Sequence, residues 1–137
     1  MEREELVGRV KEIIALGRAG DQDGATNGYG ALFADPRFVA ARVEDQRQAL
    51  RMFVLAKRHG AMPPAVVEVH RAALVPLTEL VSLHNEPEDY EMLGVCHLAI
   101  GNEAAAANLF REGLTLERAR NAASDLCGRL MTRVSAL

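Results

Sequence analysis

Four histidines, two cysteines and three serines are the residues of this chain best suited to metal ligation or nucleophilic chemistry. The histidines are His59, His70, His84 and His97. A metal site carried on one helix needs two ligands four residues apart, so that both leave the same face. No histidine pair has that spacing, and there is no HExxH segment. Cys96 and His97 are neighbours, which turns them about 100° apart on a helix. Ser82, Ser124 and Ser135 all fall inside helical patterns, and none occupies a GxSxG turn. A Cys–His nucleophile would need a tertiary contact that the order of residues does not specify. The histidines therefore read as structural or exposed groups. Cys96 and Cys127, set in apolar-patterned segments, read as reduced, half-buried thiols rather than a disulfide. No catalytic residue, metal or cofactor is expected, and the chain reads as a non-enzyme.

Two short segments imitate ligand loops without their chemistry. Asp21-Gln22-Asp23-Gly24 resembles the start of a calcium loop, but a third oxygen ligand before the glycine is missing, and position twelve is Leu32 rather than Glu. Gly24, Gly28 and Gly30 follow no strand and lack the Lys-Ser/Thr of a phosphate loop. Three glycines cost about 1 kcal/mol each relative to alanine in a helix. The segment is expected to be the least stable helix, held by its neighbours. A close helix–helix contact along the Gly24–Gly28 face is the alternative reading.

The remaining concentration of chemistry is basic. Arg47 and Arg51 stand one turn apart, and Lys57, Arg58 and His59 follow. The whole chain nevertheless carries a net charge of −3, which argues against a broad nucleic-acid surface. No apolar run approaches the roughly 20 residues of a membrane span. The first ten residues, MEREELVGRV, are acidic where a signal peptide would be basic and then apolar, so a cytoplasmic protein is expected. With 137 residues, 49% of them hydrophobic and 26% charged, the chain suits one soluble domain.

Helices must position these groups, because apolar residues recur at spacings of three and four almost throughout, and alternation is nearly absent. Helix one is expected over about 3–19, and helix two over about 23–34, ended by Pro36. A long helix three is expected over about 38–59, closed by Gly60. Helix four begins at Pro63-Pro64 and runs to about His84, kinked or split by Pro76. Asn85 and Glu88 have the spacing of a capping box for helix five, which ends at Gly101. Asn102 opens helix six, and a last helix covers about 119–135.

Gly20, Gly60 and Gly101 are 40 and 41 residues apart and each separates two expected helices. Five residues after each stands an alanine, Ala25, Ala65 or Ala106; nine after each stands a larger apolar residue, Tyr29, Val69 or Phe110. A small residue lets paired helices approach, and a bulky one fills the gap to the next pair. This spacing points to three copies of one hairpin unit. Residues 87–118 resemble a tetratricopeptide (TPR) repeat: Tyr90, Leu93 and Gly94 match the first helix, Gly101 the turn, and Ala106 and Phe110 the second helix. His97, Gly113 and Arg118 depart from the family's usual Tyr, Ala and Pro. Residues 6–37 match in their second half, through Gly20, Ala25 and Tyr29. The middle unit departs more and exceeds the family's period of 34.

The resemblance implies an all-α, right-handed stack of antiparallel helix hairpins, a TPR-like α-solenoid of about seven helices. Its units would cover about 3–36, 38–84 and 86–118, closed by a capping helix over 119–136. It also implies a concave groove lined by the first helix of each pair. The corresponding positions are Lys11, Ile14 and Arg18; then Arg47, Leu50, Arg51, Val54 and Arg58; then Glu88, Glu91, Met92, Val95 and Leu98. Such a groove would be basic over its first two thirds and apolar and acidic at its end, suited to an amphipathic helix or an acidic-apolar peptide of a partner protein. Val10 and Ile14 occupy the places of the family's carboxylate clamp, so chaperone C-termini are not expected. The expected function is a protein-interaction scaffold. A small secretion-type chaperone and a self-associating module, pairing through the Gly24–Gly28 face or the last helix, are the alternatives.

Overall fold

The computed structural model describes residues 1–137. Seven α-helices and one 3-10 turn make up the fold, with no strand, as the spacing of apolar residues requires. They are α1 (Arg3–Arg18), α2 (Gln22–Ala34), the 3-10 turn Phe38–Ala40, α3 (Val43–Val54), α4 (Pro64–His84), α5 (Pro87–Ala99), α6 (Glu103–Asn121) and α7 (Asp125–Ser135). Pro76 is buried inside an unbroken α4, so that helix is not split.

The turns after α1 and α5 are copies of each other. At the first, the Asp21 N–H reaches Leu16 O at 2.9 Å and the Gly20 N–H reaches Gly17 O at 3.1 Å. At the second, the Asn102 N–H reaches His97 O at 2.8 Å and the Gly101 N–H reaches Leu98 O at 3.1 Å. This six-residue closure needs a left-handed residue after the helix, and Gly20 and Gly101 supply it at φ 88° and 85°. Gly60 also has a positive φ of 76°, but it closes no helix. The expected third equivalent bend is absent.

The reason lies in the segment expected as a single helix over 38–59. Phe38 is a fully buried plug, its ring 5.5 Å from that of Phe33. The Gln46 amide donates to the carbonyls of Ala41 at 2.8 Å and Val39 at 3.2 Å, which holds the chain out of helix before α3. At the other end, the Arg58 guanidinium donates to Phe53 O at 2.8 Å and so takes a carbonyl of the last turn of α3. Residues 55–63 then run irregularly into Pro63-Pro64, where the residue before a proline avoids helical geometry.

Two further expected boundaries move. Asn85 does not cap α5; it closes α4 in the left-handed conformation at φ 53°, and Tyr90 donates to its side chain at 2.7 Å. The last helix starts later than expected, because Ser124 accepts from the Cys127 N–H at 3.0 Å and caps α7 at Asp125.

Packing runs α1 on α2, α2 on α4, α4 on α5, α5 on α6 and α6 on α7, while α3 lies against α1, α4 and α5. The main core extends from Leu6 in α1 to Cys96 in α5, and a smaller one joins Ala106, Phe110 and Leu130. Small residues set the closest approaches. A methyl on Gly94 would run into the Phe110 ring, and one on Gly113 would stand 3.0 Å from Tyr90 Cβ. A methyl on Gly28 would stand 2.7 Å from Ile13 Cγ1, so the Gly28 face is occupied by α1 and is not free for a second copy. Gly24 has a different reason: the Asp21 carboxylate caps α2 by accepting its N–H at 2.8 Å, and fills the space a methyl would need. Ala25 and Ala106 are buried, whereas Ala65 is exposed, so the middle unit also lacks this packing contact.

Candidate functional site

Helix α5 is where the charged residues converge. Its N-terminal half and the residue before it carry Glu86, Glu88, Asp89 and Glu91, and each finds an arginine on another helix. Asp89 is 0% exposed and receives a forked bond from Arg47 of α3, Nε at 3.0 Å and Nη2 at 2.8 Å. Arg47 also donates to Glu44 at 2.7 Å. Arg51 Nε donates to Glu88. Glu91, also 0% exposed, accepts from Arg129 at 3.1 Å and Arg133 at 2.8 Å, both on α7. Glu86 accepts from Arg120 of α6 at 2.6 Å. A buried carboxylate is tolerable only when paired and hydrogen-bonded. The bonds to Asp89, Glu88 and Glu91 hold the guanidinium pKa values of Arg47, Arg51 and Arg129 above their usual range.

This network relocates much of the expected groove lining. Leu50, Val54 and Met92 are core residues, Arg47 is spent on Asp89, and Glu91 is enclosed beneath α7, so these five do not face a guest. The α3 stripe at 47, 50, 51 and 54 turns toward the protein, because its arginines meet the acids of α5 and its apolar members meet the core. Lys11, Arg18 and Leu98 are exposed, Ile14, Arg51 and Val95 are half-buried, and Arg58 lies apart in the 55–63 segment.

The surface that does remain is a run of adjoining depressions. The first, about 280 Å³, lies between α1 and α3 and is walled by Leu6, Val7, Val10, Ile14, Ala49 and Met52, with Lys11, Asp45 and Gln48 at its polar edge. One oxygen of Asp45 is buried there without a hydrogen-bond donor; Arg3 Nε stands 3.6 Å from it. Met52 also lines the next depression, with Arg51, Leu55, Glu88 and Arg129. Arg129 lines the third, with Gly128, Thr132 and Arg133. The run is therefore apolar at α1 and basic at α7, the reverse of the expected order. The sequence reading missed Val7, Gln48, Met52 and Leu55, and above all Arg129 and Arg133. Their spacing of four on a helix opposite an acid-rich one was the available signal.

No three His, Cys, Asp or Glu side chains converge in a metal-binding group. Cys96 and Cys127 are unbridged and fully buried, not half-buried, and burial pushes the Cys96 thiol up to about 12, far from a nucleophilic thiolate. No helix is long and apolar enough to cross a membrane. Comparison of the chain with protein-family models, with curated proteins and with solved structures returns no match.

Proposed function

We propose that this chain is a TPR-like scaffold that holds an amphipathic helix or peptide of a partner protein along α1, α3, α5 and α7. The observation that carries this reading is the run of adjoining depressions with apolar walls at one end and arginines at the other. The repeat reading is supported by the twin turns at Gly20 and Gly101 and by the seating of Phe110 on Gly94. In it, the helix pairs over 3–36 and 86–118 are repeat units, 38–84 is a divergent middle unit, and 119–136 holds the cap. The unbridged thiols Cys96 and Cys127 fit a reducing compartment such as the cytoplasm.

The guest would place apolar side chains, three or four residues apart, against Val7, Val10 and Ile14, each contributing about 1.5–3 kcal/mol when buried. Acidic residues further along would meet Arg129 and Arg133, which share the single carboxylate of Glu91 and, unlike Arg47, keep much of their side chains exposed. Reversing Arg47 or Arg51 is a poor probe, since both hold α3 to α5. Val10→Glu charges the apolar end without touching the ion pairs. It should abolish capture of the wild-type partner from cell lysate while the helical circular dichroism stays unchanged. Capture at the wild-type level would remove the groove from the account.

A second reading, self-association, is favoured by Val75 and Leu83, both 68% exposed on the outer side of α4. Light scattering over a range of concentrations decides it: a monomer at every concentration excludes this reading.

A further inference from the structure

Five arginines of this protein are partly buried: Arg9, Arg47, Arg51, Arg58 and Arg133. Four of them are paired, Arg9 with Asp35, Arg47 with Asp89, Arg51 with Glu88 and Arg133 with Glu91. Arg58 has no carboxylate. Its guanidinium lies 4.3 Å from the centroid of the Phe53 ring and donates to Phe53 O at 2.8 Å and Ala56 O at 3.4 Å. The titratable groups that feel its charge are Tyr29, His70 and Cys96. None of them is an anion near neutral pH: burial raises the phenol and the thiol and disfavours protonation of the imidazole. The inner side of Arg58 therefore offers a ring face and carbonyl oxygens but no anion to pair its charge.

The outer side opens into a cavity of about 370 Å³ between the 55–63 segment, the start of α2 and the start of α4. Its polar lining is Arg58, Lys57, His59, Gln22 and Thr26, and no acidic residue contributes. Neither Lys57 nor His59 forms an ion pair with any carboxylate of the chain. α4 starts at the rim with Pro63 as its first cap residue and no side-chain acceptor, which leaves the positive end of that helix unscreened. The volume falls within the range of about 300–1,000 Å³ usual for small-molecule sites.

We propose that this cavity binds the phosphate group of a small phosphate monoester, with Arg58 as its fixed cation and Lys57 and His59 closing on it from the surface. A forked guanidinium matches two phosphate oxygens, and Lys57, His59, Gln22 and Thr26 provide donors for the remaining ones. A planar carboxylate has too few acceptors to use them all. The site lies in the α3–α4 junction, where Gly60 closes no tight helical turn, so it accounts for what the divergent middle unit carries in place of a hairpin. It does not depend on the groove over α1, α3, α5 and α7.

The test is a nuclear magnetic resonance titration of the full chain with inorganic phosphate at constant ionic strength, with sodium chloride and sodium acetate as parallel arms. Saturable shifts confined to residues 56–62, Gln22 and Thr26 are expected. Arg58→Gln should weaken binding at least tenfold, and Arg58→Lys should retain part of it. Shifts that follow chloride equally, or that persist in Arg58→Gln, would overturn the site; an equal response to acetate would overturn the phosphate assignment. If the Arg58 variants lose their helical signal, the double variant Lys57→Gln, His59→Gln decides, because both residues are exposed and hold no structural contact. Weakened binding in it supports the site, and unchanged binding overturns it.

Discussion

The α5–α6 hairpin and the α3–α4 junction carry the same glycine punctuation, yet only the first is a hairpin. At Gly101 the chain closes in six residues, Phe110 folds onto Gly94, and four acids around the start of α5 are each met by an arginine from another helix. At Gly60 no closing bonds form, the segment spans residues 55–63, and its one partly buried cation is left without a carboxylate. A left-handed glycine permits a tight turn, but complementary packing on both helices is what makes one. Around the start of α5 the chain pairs its acids internally. In the junction it leaves charge available to something outside itself.

The sharpest way to break this contrast is to remove a pairing arginine. Arg47→Ala should cost about 3–5 kcal/mol in urea unfolding, because it strands the fully buried Asp89. A loss below 1 kcal/mol would show that Asp89 finds another donor or water, and that the network is not what joins α3 to α5. Next in size, Gly94→Ala should cost about 1–3 kcal/mol, since the added methyl meets the Phe110 ring. The opposite change in the junction, Ala56→Gly, which removes a methyl at an exposed position, should shift the urea midpoint far less. Equal losses would erase the distinction between the two regions.

The smallest effect is a pH dependence centred on His70. Its Nδ1 lies 2.8 Å from Val66 O, its Nε2 is buried without a partner, and burial depresses its pKa from 6.5. The unfolded chain therefore binds the proton more readily than the folded one. The stability tied to this group is fully present above about pH 6.5 and is lost as the pH falls from there through the lower folded-state pKa. His97 is depressed in the same direction by its partial burial. Urea midpoints should fall between pH 7.5 and pH 5.5, and His70→Phe should flatten that fall. An unchanged slope in the variant would assign the effect elsewhere.

Much of the helical framework was readable from residue order. α1, α2 and α4 begin and end within two residues of expectation, because Gly20, Pro36, Pro63-Pro64 and the apolar stripes mark them locally. The site was less readable. A stripe at 47, 50, 51 and 54 has the same spacing whether it faces a guest or a neighbouring helix, and only the acids of α5 decide between the two. Ser124 is a local cap signal that the reading passed over, since it accepts from Cys127 three residues on, whereas Phe38 as a plug shows only in how its ring meets Phe33.

Residue order alone determined that this protein is helical and where glycine could turn it, since backbone propensity and turn geometry act over a few residues. Tertiary structure decided which arginines are paired, which face of α3 is buried and which cation is left open to a cavity. Those outcomes depend on charges brought together from 38 to 42 positions apart, and a carboxylate's partner is chosen by proximity in space.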